Sequence, residues 1–406
     1  MIKISRQRIP NPRNRMFTAI FHYIFLALYK LWSFLFSGHD DSSKDINAAD
    51  IKKILLLRYD GIGDIIMSSP IFKAMKQIYP NARVTMLAAS WSKSVISLFP
   101  DIDEVVYFDA PWIVKKPEIR YRNILKIIKD LKIMKYDMVI DLRGDFRNNL
   151  LMYLIDAPLR LGFDIAGCDF FLSHLVPSGE NHHFLALADQ IVRFLSPDFD
   201  FSEFKPLISV PNEGKSAAML FLASNCRLNE GKPIVTIHPA ARWPGRQWNL
   251  AAYAAIGDRL AERYSAIVIL TGTRDEIDVS RKIFDMMKNK PVIATGKTGF
   301  QEFLGILEKS DLFLGVDSGP MHLAAALRVP VVALFGPALV ETVGPGKYEY
   351  TAVTHQKEFP CSPCSQLICP KTGHSCMDAI TVDDVWAAVE TVLKRKETQV
   401  NMTTSL

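Results

Sequence analysis

The stretch KILLLRYDGIGD, residues 53–64, decides the fold of this 406-residue chain. Residues 53–60 are mostly apolar and predict a short buried strand, and residues 65–79 follow with the spacing of a helix. Between them, Gly61 and Gly63 let the backbone turn tightly and expose amide groups at the start of that helix. This strand, turn and helix begin an alternating α/β pattern.

The alternation continues along the chain. Further strands are predicted at 83–89, 105–109 and 137–142, with an amphipathic helix at 119–134. Residues 159–205 are less regular, and after them the pattern restarts with strands at 234–237, 266–270, 291–294, 312–316 and 330–335.

Apolar strands that alternate with helices predict parallel sheets covered on both faces. We therefore expect an α/β chain of two Rossmann-like, doubly wound domains that face each other across a cleft, because such sheets bind ligands at the carboxyl ends of their strands. The predicted division is an N-terminal segment and linker at 1–50, domains at 51–210 and 211–380, and a C-terminal helix and tail at 381–406, of which 382–394 could return across the first domain.

The composition suits a globular protein, with 49% hydrophobic and 22% charged residues. The net charge of +5 is concentrated at the N-terminus, and the rest of the chain is close to neutral. A body that grips nucleic acid is therefore not indicated. The charges of this basic arm come from Lys3, Arg6, Arg8, Arg13 and Arg15.

The first glycine turn, residues 60–64, is not a dinucleotide-binding fingerprint, because Ile66 stands where the third glycine should be. Its notable residue is Asp64, a carboxylate at a helix N-terminus, where the dipole favours the ionised form. Asp64 could act as a general base on a substrate hydroxyl. It could equally be an aspartate that only caps backbone amides.

A second turn follows the predicted strand 312–317. Ser318 and Gly319 open the next helix, Gly319 allows a phosphate to approach the backbone, and His322 adds a side-chain donor. The turn therefore predicts a pyrophosphate cradle. The structural alternative is that Asp317 and Ser318 are caps and His322 is a core histidine.

Two further loops carry charged residues after strands of the second domain. The segment HPAARWPGRQW, residues 238–248, contains Arg242 and Arg246, and arginine suits bidentate contact with phosphate. Trp248 could simply pack the following helix. In the other loop, an acid such as Glu276 could bind ribose hydroxyls, as acids after the second strand often do in nucleotide-binding sheets.

Together, four motifs resemble glycosyltransferase family 9, the ADP-heptose:lipopolysaccharide heptosyltransferases. The resemblance covers about residues 53–392 and implies a GT-B fold with inverting, metal-independent transfer from an ADP-activated sugar. Domain 51–210 would then bind the acceptor and domain 211–380 the donor. The motifs are RYDGIGD at 58–64, HPAARWPGRQW at 238–248, GTRDE at 272–276 and GVDSGPMHLAAAL at 315–327.

The resemblance also implies a role for each matching residue. Asp64 would be the catalytic base, Arg246 would lie near the diphosphate, and Asp317 would hold the sugar. Arg246 stands where several relatives carry lysine, which keeps the charge and changes the pattern of donors. The remaining residues predicted to bind the donor are Gly63, Arg242, Glu276, Ser318, Gly319 and His322.

An apolar run at 16–36 follows the basic arm and lies outside the resemblance. It could be a membrane span, a helix in the membrane interface, or a helix packed on the protein itself. A signal peptide is disfavoured because no A-x-A-like cleavage site follows and the run contains Lys30. We favour the interface, since a span with its arginines inside would export the rest of the chain, away from a cytoplasmic nucleotide sugar.

Four of the six cysteines cluster near the C-terminus. Their spacing, C-x2-C-x4-C-x6-C, could form a structural zinc site, with His374 as an alternative ligand, although it is not a standard ribbon or finger. The alternative is reduced cysteines in a loop. No cofactor is expected for catalysis itself. The cluster consists of Cys361, Cys364, Cys369 and Cys376.

The sequence thus predicts an inverting glycosyltransferase that moves a sugar, by resemblance heptose from ADP-heptose, to lipopolysaccharide or a related glycolipid or polysaccharide acceptor. We expect it at the cytoplasmic face of the inner membrane, held on the membrane surface through residues 16–36, with no nucleic-acid partner. Two other classes stay open: a nucleotide-sugar epimerase or hydrolase, and a non-catalytic membrane-associated protein that binds a sugar nucleotide.

Overall fold

The computed structural model describes residues 12–35, 47–113, 122–226, 232–345, 352–355, 359, 361–364, 369 and 375–404. The chain divides into two compact domains, residues 1–206 and 207–406. Each is an α/β domain, as the alternating pattern predicts.

The first domain contains a six-stranded sheet in which every neighbouring pair of strands is parallel. The strands are arranged in the order β3-β2-β1-β4-β5-β6, which is that of a doubly wound Rossmann sheet. Their bounds are β1 Lys53–Leu57, β2 Arg83–Ala88, β3 Glu104–Tyr107, β4 Met138–Asp141, β5 Leu159–Phe163 and β6 His174–Val176.

The helices of this domain differ from the sequence prediction in two places. The helix expected at 65–79 is two helices, because Pro70 begins the second one, where its missing amide costs nothing. The stretch 159–205, expected to be less regular, contains two strands and a helix. The helices are α1 Pro12–Leu35, α2 Ile62–Ser68, α3 Pro70–Ile78, α4 Lys93–Ile96, α5 Arg122–Met134, α6 Phe146–Leu154 and α7 Phe184–Leu195.

The second domain repeats the architecture. Its strands are arranged in the order β12-β11-β10-β7-β8-β9, which is the same winding when counted from its own first strand. All five neighbouring pairs are parallel. The strands are β7 Ile234–His238, β8 Ile267–Leu270, β9 Val292–Ile293, β10 Leu312–Val316, β11 Val331–Phe335 and β12 Ala352–His355.

The second domain's helices cover this sheet. The contact between α8 and α11 is close because both helices carry a glycine there: a side chain on Gly305 would meet the backbone oxygen of Gly214. The helices are α8 Asn212–Asn225, α9 Leu250–Tyr264, α10 Ile277–Met286, α11 Phe300–Glu308, α12 Gly319–Ala326, α13 Val340–Val343 and α14 Val382–Thr404.

The C-terminal helix α14 packs on the core of the second domain. Val385, Val389 and Val392 are fully buried in the same cluster as Trp248. The Trp248 indole donates to the Ile380 carbonyl at 2.9 Å just before α14. Trp248 is therefore a core residue, and the buried face of α14 packs on the second domain's own core; the return of this helix across the first domain stays a prediction.

Each sheet has one point at which the winding reverses, between β1 and β4 in the first domain and between β7 and β10 in the second. The backbone register pairs Leu57 with Asp141 at the first point and Gly315 with His238 at the second. Loops after these strands diverge toward opposite faces of the sheet and leave a crevice that suits a ligand.

Candidate active site

The turn after β1 places Asp64 as the third residue of α2. Its Oδ2 accepts a hydrogen bond from the Gly61 amide at 2.8 Å, so the carboxylate does cap the helix start. The side chain nevertheless remains 28% exposed, enough to meet a substrate hydroxyl. The two interpretations of Asp64 are therefore compatible. Gly63 is buried in the same helical turn.

Arg58 fixes the other side of this carboxylate. Its side chain is fully buried; Nη2 lies 3.4 Å from Oδ1 of Asp64, and Nε lies 3.0 Å from Oδ1 of Asp60. It also donates from Nη1 to the Leu142 carbonyl, and its guanidinium lies 4.0 Å above the ring of Phe184. Sequence reasoning quoted Arg58 within a motif and assigned it no role. Its signal was an arginine directly after an apolar strand.

A second arginine reaches the same cluster from the loop after β4. Nε of Arg143 lies 3.8 Å from Oδ2 of Asp60 and 3.6 Å from Oδ2 of Asp145. Burial, together with the nearby Asp64 charge, raises the pKa of Asp60 above its usual 3.8, and Arg58 and Arg143 oppose that rise. Asp64 thus lies at the exposed edge of a buried network of alternating charges.

The pKa of Asp145, another carboxylate in this network, is shifted in the opposite direction from that of Asp60. Burial raises its pKa, but the charges of Arg143 and Arg147 outweigh burial and hold the pKa below its usual value. Arg147 donates to it from Nε at 2.7 Å. The loop itself is held by Asp141, which accepts hydrogen bonds from three successive backbone amides, those of residues 143–145. The sequence did not single out this loop.

In the second domain, the predicted cradle lies at the start of α12. Ser318 precedes the helix and makes no capping bond with its side chain. Within the described part of the chain, its buried hydroxyl has no hydrogen-bond partner. An orphaned hydroxyl beside the free amides of a helix N-terminus is a site that an anionic group would satisfy. Gly319 begins the helix, and His322 is buried one turn further on.

Arg246 reaches the same turn from the loop after β7. Its Nη1 lies 2.8 Å from Oδ2 of Asp317, and its guanidinium lies 5.0 Å from the ring centre of Trp243. Arg246 is 30% exposed, whereas Asp317 is almost entirely buried. The structure therefore brings together the two residues predicted for the diphosphate and the sugar, and joins them as an ion pair. Arg242, in the same loop, is exposed.

The predicted ribose-binding acid lies after β8. Oε2 of Glu276 accepts from the Thr273 amide at 2.6 Å, the same capping arrangement as that of Asp64. The buried His238 lies nearby, and its Nδ1 is 3.3 Å from Oγ1 of Thr271. Burial lowers the pKa of His238 below its usual 6.5, against the opposing charge of Glu276. His238 was part of a quoted motif and was not predicted to have a role.

The four clustered cysteines have free thiols, and Cys361 is the exposed one. Burial, with the nearby Cys369 and Cys361, raises the pKa of Cys376 to about 11. Among the described residues, no three His, Cys, Asp or Glu side chains are grouped so that they could hold a metal ion. Zinc binding by the four cysteines was predicted from their spacing and stays a prediction; the alternative ligand His374 lies outside the described residues.

Two doubly wound domains, with an anchored carboxylate at one switch point and an arginine beside an open helix N-terminus at the other, are the arrangement expected of a glycosyltransferase of the GT-B fold. The chain belongs to glycosyltransferase family 9 (heptosyltransferase), whose sequence model matches residues 124–373. The resemblance drawn from the four motifs is thereby confirmed.

Individual relatives are distant in sequence and alike over most of their length. The chain is 23% identical to lipooligosaccharide heptosyltransferase 2 of Campylobacter jejuni, over 82% of this chain and 96% of that protein. It is 26% identical to lipopolysaccharide heptosyltransferase 3 of Escherichia coli, over 68% of this chain and 80% of that protein.

Solved structures show the same fold. The family 9 glycosyl transferase of Veillonella parvula matches with a TM-score of 0.69 at 20% identity, over 87% of this chain and all of that one. The ADP-heptose lipopolysaccharide heptosyltransferase II of E. coli matches with a TM-score of 0.64 at 21% identity, over 85% of this chain and 99% of that one.

Proposed function

We propose that this glycosyltransferase transfers heptose from ADP-heptose to the inner core of lipopolysaccharide or to a closely related surface glycan. The observation that carries the proposal is the pair of anchored sites: the partly exposed Asp64 in the first domain, and Arg246 beside the orphaned Ser318 hydroxyl in the second. The named relatives that share most of their length with this chain are lipopolysaccharide or lipooligosaccharide heptosyltransferases.

In the proposed reaction, Asp64 takes the proton of an acceptor hydroxyl, and the resulting oxygen nucleophile attacks the anomeric carbon of the donor. A new carbon–oxygen bond forms as the bond from that carbon to the diphosphate breaks. ADP leaves with the electron pair, and the configuration at the anomeric carbon is inverted.

The residues of the second domain serve the leaving group. Negative charge grows on the diphosphate as the bond breaks, and preorganised donors stabilise it in the transition state. Arg246, the amides at the start of α12 and the Ser318 hydroxyl supply such donors. Glu276 would accept hydrogen bonds from the ribose, and Gly63, Arg242, Asp317, Gly319 and His322 complete the proposed donor contacts. No metal takes part in this scheme.

The test is ADP release from ADP-heptose with and without a lipopolysaccharide acceptor that lacks the transferred heptose. We expect release only with acceptor, and a loss of about 10²-fold or more in kcat for Asp64→Asn with donor affinity retained. The exposed Asp130 on α5 provides a matched control, Asp130→Asn.

Other outcomes would replace the proposal. Release or conversion of the donor without acceptor would identify a hydrolase or an epimerase. Donor binding with no turnover under any acceptor would identify a protein that only binds the sugar nucleotide. Full turnover by Asp64→Asn would remove Asp64 as the base.

We also propose that the reaction takes place at the cytoplasmic face of the inner membrane, with the enzyme attached peripherally. The acceptors in the relatives' names are lipid-linked glycans, so the enzyme must meet its acceptor at a membrane surface. Among the described helices, none is long and apolar enough to cross a membrane. Fractionation of cells should recover the protein with inner membranes and release it with salt or carbonate. Recovery in the soluble fraction at low salt would contradict the proposal.

A structural zinc at Cys361, Cys364, Cys369 and Cys376 is a separate proposal, supported by their spacing and by the nearness of Cys369 and Cys361 to Cys376, which adds to the rise in the pKa of Cys376. Metal analysis of the purified protein should find about one zinc per chain, lost in Cys361→Ser with Cys364→Ser. A metal-free protein of unchanged stability would reject the site.

A further inference from the structure

The N-terminal helix α1 is attached to the first domain by one face. Nδ1 of His22 accepts a hydrogen bond from the backbone amide of Cys168 at 2.9 Å, and the His22 side chain is buried. One turn away on the same face, the ring of Phe25 lies 6.0 Å from that of Phe171. Thr18, one turn earlier, is also buried. The helix is thus docked on the loop after β5.

The opposite face of α1 is apolar and uncovered in the chain as described. Single exposed apolar residues are ordinary, but these six recur with helical spacing and form a continuous stripe. A contiguous apolar surface of this kind marks a site of interaction. The stripe consists of Met16, Phe17, Ile20, Tyr23, Ile24 and Leu28, each between 48% and 62% exposed.

The basic residues that precede the stripe in the sequence indicate the chemistry of its partner. Arg13 and Arg15 lie in the first turn of α1, which contains no acid. The N-terminal end of a helix is the positive end of its dipole, so cations there destabilise the helix slightly. Their positive charge therefore does not stabilise the helix and is complementary to an external anionic partner. Three more basic residues precede the helix, Lys3, Arg6 and Arg8.

We propose that this stripe binds an anionic lipid surface, with α1 lying in the plane of the interface. Apolar side chains would enter the acyl boundary while the basic residues meet the headgroups. Tyr23 lies within the stripe, and tyrosine is favoured at such interfaces. A second copy of the chain is a poorer partner, because it carries the same net charge of +5 and an anionic lipid surface carries the opposite one.

The docking of α1 on the first domain determines how the lipid surface would be held. Because His22 and Phe25 hold α1 on the domain, the lipid surface is bound by a fixed face of the domain and not by a loose tether. The proposal rests on the peripheral attachment proposed above and is independent of glycosyl transfer, since its test measures lipid binding alone.

The test is flotation of the full-length protein with vesicles of phosphatidylcholine alone or with phosphatidylglycerol. We expect binding to the anionic vesicles, weakened by salt, and a loss of roughly tenfold or more in Ile20→Asp with Ile24→Asp. Leu125→Asp and Leu220→Asp are matched controls, because these exposed residues, 73% and 71%, lie on α5 and α8. All variants should keep their melting temperature and their activity on a detergent-dispersed acceptor.

Binding that is equal on neutral and anionic vesicles, or unchanged in the double variant, would overturn the proposal. A double variant that changes oligomeric state and leaves vesicle binding intact would assign the stripe to a second copy instead. Hydrogen exchange tests the docked face separately. His22→Ala should speed exchange of the Cys168 amide while vesicle binding persists; unchanged exchange would contradict docking.

Discussion

Oδ2 of Asp64 and the amide nitrogen of Gly61 are 2.8 Å apart, and a Cβ atom on Gly61 would lie only 2.6 Å from the same oxygen. The proposed base therefore occupies space that any other residue at position 61 would take. Gly61 has φ −92°, which every L-residue adopts readily, so its absence of a side chain is required by the carboxylate and not by the backbone.

The first prediction concerns that contact. Gly61→Ala should displace the Asp64 carboxylate and lower kcat by about 10–100-fold, because small misplacements of a reacting group are costly. The melting temperature should change little, since the backbone conformation suits alanine. Steady-state kinetics with thermal unfolding test both. A variant that loses stability and activity in parallel would show that Gly61 serves the fold.

Arg58 should act as a positioning residue for Asp64. Arg58→Lys keeps a charge and should retain part of the activity, whereas Arg58→Met should lower kcat by about 10-fold or more with little change in KM for the donor. Arg160→Lys is the control, because Arg160 is also buried in the first domain and donates to the Phe171 and Ala157 carbonyls. If Arg58→Lys and Arg160→Lys lowered kcat by the same factor and the melting temperature by the same amount, the role of Arg58 would be structural only.

Because Arg246 and Asp317 form an ion pair, we expect the substitution Asp317→Asn to have opposite effects on ADP binding and on turnover. Asp317→Asn removes a negative charge beside the proposed diphosphate site and frees Arg246 for the ligand. ADP should then bind several-fold more tightly, about 3–10-fold, while sugar transfer slows. Calorimetry and initial rates measure the two effects. Asp278→Asn, at an exposed position on α10 of the same domain, should change neither. Weaker ADP binding in Asp317→Asn would reject the arrangement.

Stability should fall on mild acidification because of His238. Burial lowers its pKa in the folded state below 6.5, so the unfolded state binds the proton first, and unfolding is favoured as the pH falls below about 6.5. The contribution is at most about 1.4 kcal/mol per pH unit for one proton. His238→Asn should reduce the difference in melting temperature between pH 7.5 and 5.5. His183→Asn is the comparison, since asparagine preserves its helix cap. An equal pH response in both variants and the parent would exclude His238 as the source.

Local sequence patterns were sufficient for much of the architecture. Runs such as 312–316 are apolar throughout and are followed by helix-opening residues, so strand, turn and helix could be located one after another. The short strands β5 and β6 were missed because Arg160 and His174 break their apolar pattern; in the fold, buried Arg160 is satisfied by backbone carbonyls supplied by neighbouring segments.

The candidate site likewise has features that local sequence predicts and features that only the tertiary structure decides. The sequence by itself determined the two domains and the identity of Asp64, Arg246 and Asp317 as candidates, because glycine turns and helix starts are encoded by adjacent residues. Only the tertiary structure decided that Arg246 pairs with Asp317, 71 residues away, and that His22 docks on Cys168, 146 residues away. Such contacts depend on strand order and on which faces of the helices are buried, and these are set by the packing of the whole domain.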